Sequence, residues 1–239
     1  MRIRLAYAKT GKIRFSSHRD MARCWERALR RADLPVASTE GFSPRPKMHF
    51  GLALSTGHES DGEYLDVDLL EPEAEDVDVV ALPALLTPLL PVGVEVLSAG
   101  VVDRSEPSLQ EAVTSCTWSI EVPGESVVSM TDAVDALMAR SEIPFERERK
   151  GRTTIDDLRP GILDLRVVGP TPADAPEAGA LLEAELATQP RSVRPAELLA
   201  AFDPPRHEGR VRRTHQWITS DGAKREPTPA TSRVPVGAR

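Results

Sequence analysis

The chain has 239 residues, 40% of them hydrophobic, with 30 Lys or Arg against 37 Asp or Glu and two cysteines. That length suits two small domains with real cores, two cysteines outside any CxxC pair argue against an iron–sulfur or structural zinc centre built by this chain alone, and no apolar run reaches membrane-spanning length. The net charge of −7 is unevenly spread: residues 1–50 carry twelve bases and four acids, a +8 segment, whereas residues 51–100 carry eleven acids and no base, which points to an anionic partner for the N-terminal part.

Met1 leads directly into the alternating Arg-Ile-Arg-Leu-Ala-Tyr of a strand at 2–9, without the apolar run of a signal peptide, so a cytoplasmic protein is expected. A second strand over 12–15 follows a turn at Thr10-Gly11. The helix from His18 to Asp33 has Ser16 or Ser17 as N-cap, Asp20 completing a capping box, and Leu34-Pro35 as its stop. A proline-rich loop at 41–47 precedes a strand in which Met48, Phe50, Leu52 and Leu54 alternate with His49, Gly51 and Ala53. The next strand, from Glu63 to Leu69, puts Glu63 in phase with Leu65 and Val67. Residues 73–90 have helical spacing that Pro83 and Pro88 should kink or split, and 92–102 reads as a strand. This β-α-β-β-α-β order over 1–103 predicts a ferredoxin-like unit.

The pattern partly returns over 104–218. Strands are expected at 116–122, 144–149, 163–168, 181–187 and 211–218, helices at 129–140 and 195–202, a turn at Lys150-Gly151 and a loop at 169–179. The fold class predicted is therefore α+β with two ferredoxin-like units, the second decorated. Residues 219–239 lack periodicity and predict a disordered tail.

The helix carries the sharpest functional signal. At about 100° per residue, Arg19, Arg23, Arg27, Arg30 and Arg31 fall in an arc of roughly 120° opposite Met21, Trp25, Ala28, Leu29 and Ala32. Within that arc only Asp20 is acidic. The stripe reads either as a solvated face or as a surface for RNA phosphates, which suit the planar guanidinium fork. In the loop Gly41-Phe-Ser-Pro-Arg-Pro-Lys47 the prolines restrain Arg45 and Lys47, and Phe42 is expected either to stack on a base or to plug the core.

Three histidines, His18, His49 and His58, match no metal-binding spacing, so no metal or other cofactor is expected. His18 at the helix start reads as a buried or capping histidine, or else as a general acid/base for metal-free RNA cleavage. Arg2 and Arg4 should share a sheet face with Asp66 and Asp68 and pair with them across strands. Glu63, Asp66 and Asp68 read as acids of a half-exposed strand sooner than as a catalytic or Mg²⁺ set. Basic residues around 146–152 and Arg191, Arg194, Arg206, Arg210, Arg212 and Arg213 read as solvated ends or as an extension of a basic groove. Neither a glycine-rich phosphate loop nor a GxSxG elbow is present, which argues against an ATPase, a dinucleotide enzyme or a serine hydrolase.

The runs Ile13-Arg-Phe-Ser-Ser-His-Arg-Asp20, Glu26-Arg-Ala-Leu-Arg-Arg-Ala32, Gly41-Phe-Ser-Pro-Arg-Pro-Lys47 and Glu63-Tyr-Leu-Asp66 resemble the bacterial radical SAM-linked protein family, a domain of unknown function. Later pieces, including Thr154-Ile-Asp-Asp-Leu-Arg159 and Val193-Arg-Pro-Ala-Glu197, are similar too, so the resemblance spans about 2–218. It implies association with a separate radical SAM enzyme and with RNA modification. The CxxxCxxC motif of such enzymes is absent, and family members commonly have an aliphatic residue where this chain has Arg19.

Together these readings predict a non-catalytic RNA-binding accessory protein that presents tRNA or rRNA to a radical SAM enzyme, with Arg19, Arg23, Arg27, Arg30, Phe42, Arg45 and Lys47 on the RNA. The alternatives are an RNA-processing enzyme using His18, and a protein-docking module that meets an acidic partner without nucleic acid.

Overall fold

The structure, a computed structural model, describes residues 1–149 and 151–227. It is a mixed α+β chain whose sheets are mostly antiparallel, and it divides into two compact units. The first unit is Met1–Val113 together with the chain from Gln216 onward; the second is Thr114–His215. Among the described residues no helix is long and apolar enough to cross a membrane.

In the first unit, β1 (Arg2–Lys9) leads to α1 (His18–Arg31), β2 (Met48–Phe50), β3 (Glu59–Asp68), α2 (Leu82–Leu86), β4 (Val94–Val102) and the single turn α3 (Leu109–Ala112). The strand order is β4–β1–β3–β2, every pair antiparallel. The alternation of β1 buries Ile3, Leu5 and Tyr7 beside Leu65 and Val67 of β3. On this face sit Met21, Trp25, Ala28 and Leu29 of α1, all buried, with the Tyr7 and Trp25 rings edge to face at 5.0 Å. The expected apolar side of the helix is thus its packed side.

Several sequence expectations need correction here. Residues 12–15 are not a strand: Gly11 turns the chain at φ +68, and Gly11–Phe15 winds into a 3-10 turn closed by Ser16 N–H to the Ile13 carbonyl at 2.9 Å. The β2 strand stops at Phe50; Gly51 N–H still reaches the Tyr64 carbonyl at 3.0 Å, but Leu52 and Leu54 lie outside the strand. Residues 73–90 are split as the prolines demand. Only Leu82–Leu86 is α-helical, with Pro83 in its first turn, where the missing N–H costs nothing, and 3-10 turns flank it.

In the second unit, β5 (Ser115–Pro123), α4 (Val127–Met138), the hairpin β6 (Pro144–Arg149) and β7 (Arg152–Asp157), β8 (Ile162–Pro170), β9 (Gly179–Ala187) and α5 (Pro195–Ala200) precede β10 (Val211–Ser220). The sheet order is β5–β9–β8, antiparallel, with residues 211–215 of β10 on the free side of β5. The β6–β7 hairpin forms a two-stranded sheet of its own. Met130, Val134 and Leu137 of α4 and Ile120, Leu182 and Leu186 of the sheet are buried.

Past His215, β10 belongs to the first unit, where it lies beside β3 and the Gln216 amide donates to the Gly62 carbonyl at 2.6 Å. A short strand β11 (Ala223–Arg225) then folds back on β10. The expected disorder from 219 therefore does not hold as far as Pro227, because strand pairing satisfies a backbone that its own composition leaves unburied; Lys150 and residues 228–239 lie outside the described residues.

Candidate functional site

Of the two serines that the sequence offers as N-cap, Ser17 caps α1. Its hydroxyl accepts from Asp20 N–H at 3.2 Å and donates to the Asp20 carboxylate at 2.7 Å. That hydroxyl, ahead of the Ser17 backbone N–H and the charges of Arg23 and Arg19, holds the Asp20 carboxyl below its ordinary range. Arg19, Arg23, Arg27 and Arg30 are all exposed. The one acid in the arc reaches Arg23 only at 3.8 Å, and Arg27 donates to the Cys24 thiol at 3.3 Å. Arg19 and Arg30 have no ion-pair partner among the described residues.

The loop after α1 is tied at its base and open at its tip. Lys47 N–H donates to the Ala37 carbonyl at 2.7 Å, Ala37 N–H to Asp68 at 2.8 Å, and Thr39 N–H to Arg45 at 2.8 Å. Arg45 N–H is also held by the Thr39 hydroxyl at 3.1 Å. These bonds clamp both ends of 39–45 against β3 and leave Phe42 fully exposed at the tip, with Arg45 exposed and Lys47 half-buried. The core-plug reading of Phe42 is thereby removed.

On the sheet face away from α1, the expected cross-strand pairing holds in register: Arg2 opposite Asp68 and Arg4 opposite Asp66. Arg4 grips Asp66 through two bonds of 2.7 and 2.9 Å while both residues are buried. Its remaining nitrogen donates to the Pro227 carbonyl at 3.0 Å, and Glu106 lies 3.7 Å away. Asp68 takes Arg2 at 2.7 Å and His49 at 3.3 Å. Burial pushes its carboxyl up, but the bonds from Arg2 and His49 outweigh that and leave it below its ordinary value.

Beside β2 opens a cavity of about 510 Å³ whose walls bring together Arg2, His18, His49, Phe50, Asp66 and residues 108–110. His18 is exposed here, not buried in the core, and its ring stands edge to face with Phe50, centroids 4.7 Å apart. Of the sequence-derived candidates, His18 and Asp66 thus share one cavity, whereas Arg19, Arg23, Arg27, Arg30, Phe42, Arg45 and Lys47 do not line it. A smaller recess of about 30 Å³, with room for a water or two, shares His18, Phe50 and Gly51 with the cavity and adds Tyr7, Lys9 and Glu63. Buried Lys9 donates to the carbonyls of Arg14 at 3.4 Å and Ser16 at 3.1 Å, fixing the turn that enters α1. Among the described residues no group of three His, Cys, Asp or Glu is arranged to hold a metal ion.

In the second unit Arg147, Arg191, Arg206 and Arg210 each meet a local acid. Arg191 meets Asp156 at 2.9 Å, Arg147 meets Glu197 at 3.1 Å, Arg206 meets Glu125 at 3.1 Å, and Arg210 meets Asp174 at 3.0 Å. Arg213 is buried, with its guanidinium 5.4 Å from the Trp118 ring centroid. Arg147, Arg191, Arg206 and Arg210 are thus structural ion pairs, while exposed Arg194 makes no ion pair among the described residues and the side chains at 149, 150 and 152 lie outside the described residues.

The sequence model of one family, described as an uncharacterized protein conserved in bacteria (DUF2344), matches residues 2–195. The chain belongs to the DUF2344 family. Among curated proteins none matches it. Every DUF2344 residue named above on the α1 face, the 39–47 loop and the cavity walls lies inside the matched span, whereas β10 and Pro227 lie beyond it. Sequence reasoning missed Phe50, Leu109 and Gln110 as cavity walls. The alternation of residues 48–54 runs unbroken through Gly51, so nothing in the sequence marked where β2 ends or tied it to residues 108–110.

Proposed function

We propose that this chain is an RNA-binding accessory protein, with the exposed face of α1 as its phosphate-contacting surface. The observation that carries this reading is the exposure of Arg19, Arg23, Arg27 and Arg30 on one helix face, with a single distant acid at 3.8 Å from Arg23. Guanidiniums left unpaired by the fold retain their donors for phosphate oxygens. The exposed ring of Phe42 on a clamped loop supplies a stacking platform of the kind single-stranded RNA uses. The resemblance to radical SAM-linked proteins adds a partner, a separate radical SAM enzyme acting on tRNA or rRNA. We also read both units as ferredoxin-like, supported in the first by its β4–β1–β3–β2 order and in the second by β10–β5–β9–β8 with the β6–β7 hairpin as decoration.

The test is crosslinking and sequencing of RNA bound to the tagged chain in cells, comparing the native protein with an Arg19/Arg23/Arg27→Glu variant. A defined RNA lost in the variant is the expected result, with binding in vitro that weakens as salt rises. Absence of enrichment, or equal enrichment in the variant, overturns the proposal. A catalytic reading of the same chain draws on His18, whose imidazole opens into the cavity beside Phe50; RNA turnover unchanged by His18→Ala would remove it.

A further inference from the structure

The cavity beside β2 makes no use of the arginine face of α1, and its walls have a chemistry of their own. At about 510 Å³ it is the size of a small-molecule site. Two of its lining side chains form an aromatic pair: His18 and Phe50 stand with ring planes at 76°. A flat ring placed on either of these faces meets the edge of the other, the geometry that aromatic systems prefer over a full sandwich.

Other residues that line the cavity offer hydrogen-bonding groups that the fold has not consumed. Arg2 commits Nε and Nη2 to Asp68, which leaves Nη1 without a partner among the described residues. The Gln110 side chain is exposed and makes no hydrogen bond among them. Each carboxylate oxygen of Asp66 holds one Arg4 nitrogen and keeps a second lone pair. A cationic donor, an anionic acceptor and an amide that is both, lining one cavity with an aromatic pair, are the groups that read the edge and face of a nucleobase. The charges cancel in place, Arg2 with Asp68 and Arg4 with Asp66, so attraction here comes from stacking and hydrogen bonds instead of net charge.

We propose that this cavity holds one unstacked nucleotide of the bound RNA, its base against His18 and Phe50 and its edge toward Arg2, Asp66 and Gln110. The inference rests on the RNA reading above: the α1 face fixes the strand and the cavity selects a base. Because the two surfaces differ in charge balance, they differ in salt response. Phosphate contacts weaken with salt, whereas the cavity contact does not.

The experiment titrates the full chain with adenosine, guanosine, cytidine and uridine, which carry no phosphate, following the Gly51 amide and the Gln110 side-chain amide by nitrogen–proton correlation spectra. Ala53 lines the cavity and is exposed, so Ala53→Trp fills the opening without entering the core. The expected result is saturable shifts with at least one nucleoside, an affinity changed by less than about twofold between about 50 and about 500 mM salt, and a loss of about tenfold or more in Ala53→Trp. No shift with any nucleoside, or shifts equal in Ala53→Trp, overturns the inference. Gel retention of single-stranded RNA by the same proteins separates the two readings. RNA retained while nucleosides leave the spectra unchanged sinks the cavity and keeps the RNA reading; nucleosides bound while no RNA is retained sinks the RNA reading and, with it, the assignment of the base to a bound strand.

Discussion

Arg4 and Asp66 hold each other across β1 and β3 through bonds of 2.7 and 2.9 Å, and neither side chain is more than 4% exposed. A buried pair of this kind gives little net stability, because desolvation offsets most of the attraction, yet removing one partner strands the other charge. Asp66→Ala should cost about 3–5 kcal/mol in urea unfolding, whereas Arg4→Met combined with Asp66→Leu should recover most of that loss. Equal losses in the single and double variants would show that the pair contributes by attraction alone.

Asp68 makes stability depend on pH. Burial works against its charge, but the bonds from Arg2 and His49 prevail, so its carboxyl titrates lower in the folded chain than in the unfolded one. A depressed carboxyl contributes stability above its unfolded value of about 3.9, and that contribution is lost as pH falls through the lower folded value. The native chain should therefore lose stability on acidification below about pH 4 more steeply than Asp68→Asn, as read from urea midpoints at successive pH values. Parallel curves would assign the acid sensitivity elsewhere.

Phe42 is fully exposed at the tip of its loop, so Phe42→Ala should leave the thermal midpoint unchanged. If the ring stacks on a base, the same variant weakens single-stranded RNA binding by about 1–3 kcal/mol. Unchanged RNA affinity would remove Phe42 from the contact surface without touching the case for α1.

Two glycines with positive φ separate backbone strain from steric exclusion. Gly11, at φ +68, has open space where a Cβ would stand; Gly93, at φ +92, would place one 2.3 Å from the Thr10 carbonyl oxygen. Gly11→Ala should cost about 1–2 kcal/mol for the left-handed backbone alone. Gly93→Ala should add about 1–3 kcal/mol of overpacking to a similar strain, and calorimetric midpoints of the two variants would show the gap.

What was legible in the sequence was what depends on neighbours in the chain. The alternation of Ile3, Leu5 and Tyr7, the helical spacing of Met21, Trp25 and Leu29, and the Ser17 cap are local patterns, and each element formed where they indicated. Arg2 and Arg4 could be matched to Asp68 and Asp66 because two strands of known phase fix which residues share a face. The cavity had no such signature, since residue 2, residue 18, β2 and α3 meet only through the fold. Strand β7, with Thr153, Thr154 and Ile155 as its centre, and β11, built of Ala, Lys and Arg, are too short or too charged to show a pattern. They are paired strands because a hairpin partner lies next to them. The 3-10 turn at Gly11–Phe15 was misread for the reverse reason: its composition suits a strand, and the positive φ of Gly11 takes the chain away from any partner.

The path of β10 has a practical consequence for dissecting the molecule. A chain ended after Val113 contains β1 to β4 but lacks the length from Gln216 that lies beside β3, the amide that reaches Gly62, and the Pro227 carbonyl that receives Arg4. In chain order the second unit is an insertion within the first. A gene for the isolated first unit must therefore splice residue 113 to residue 216 through a designed linker, because plain truncation would expose an unpaired strand edge and leave a buried guanidinium one acceptor short.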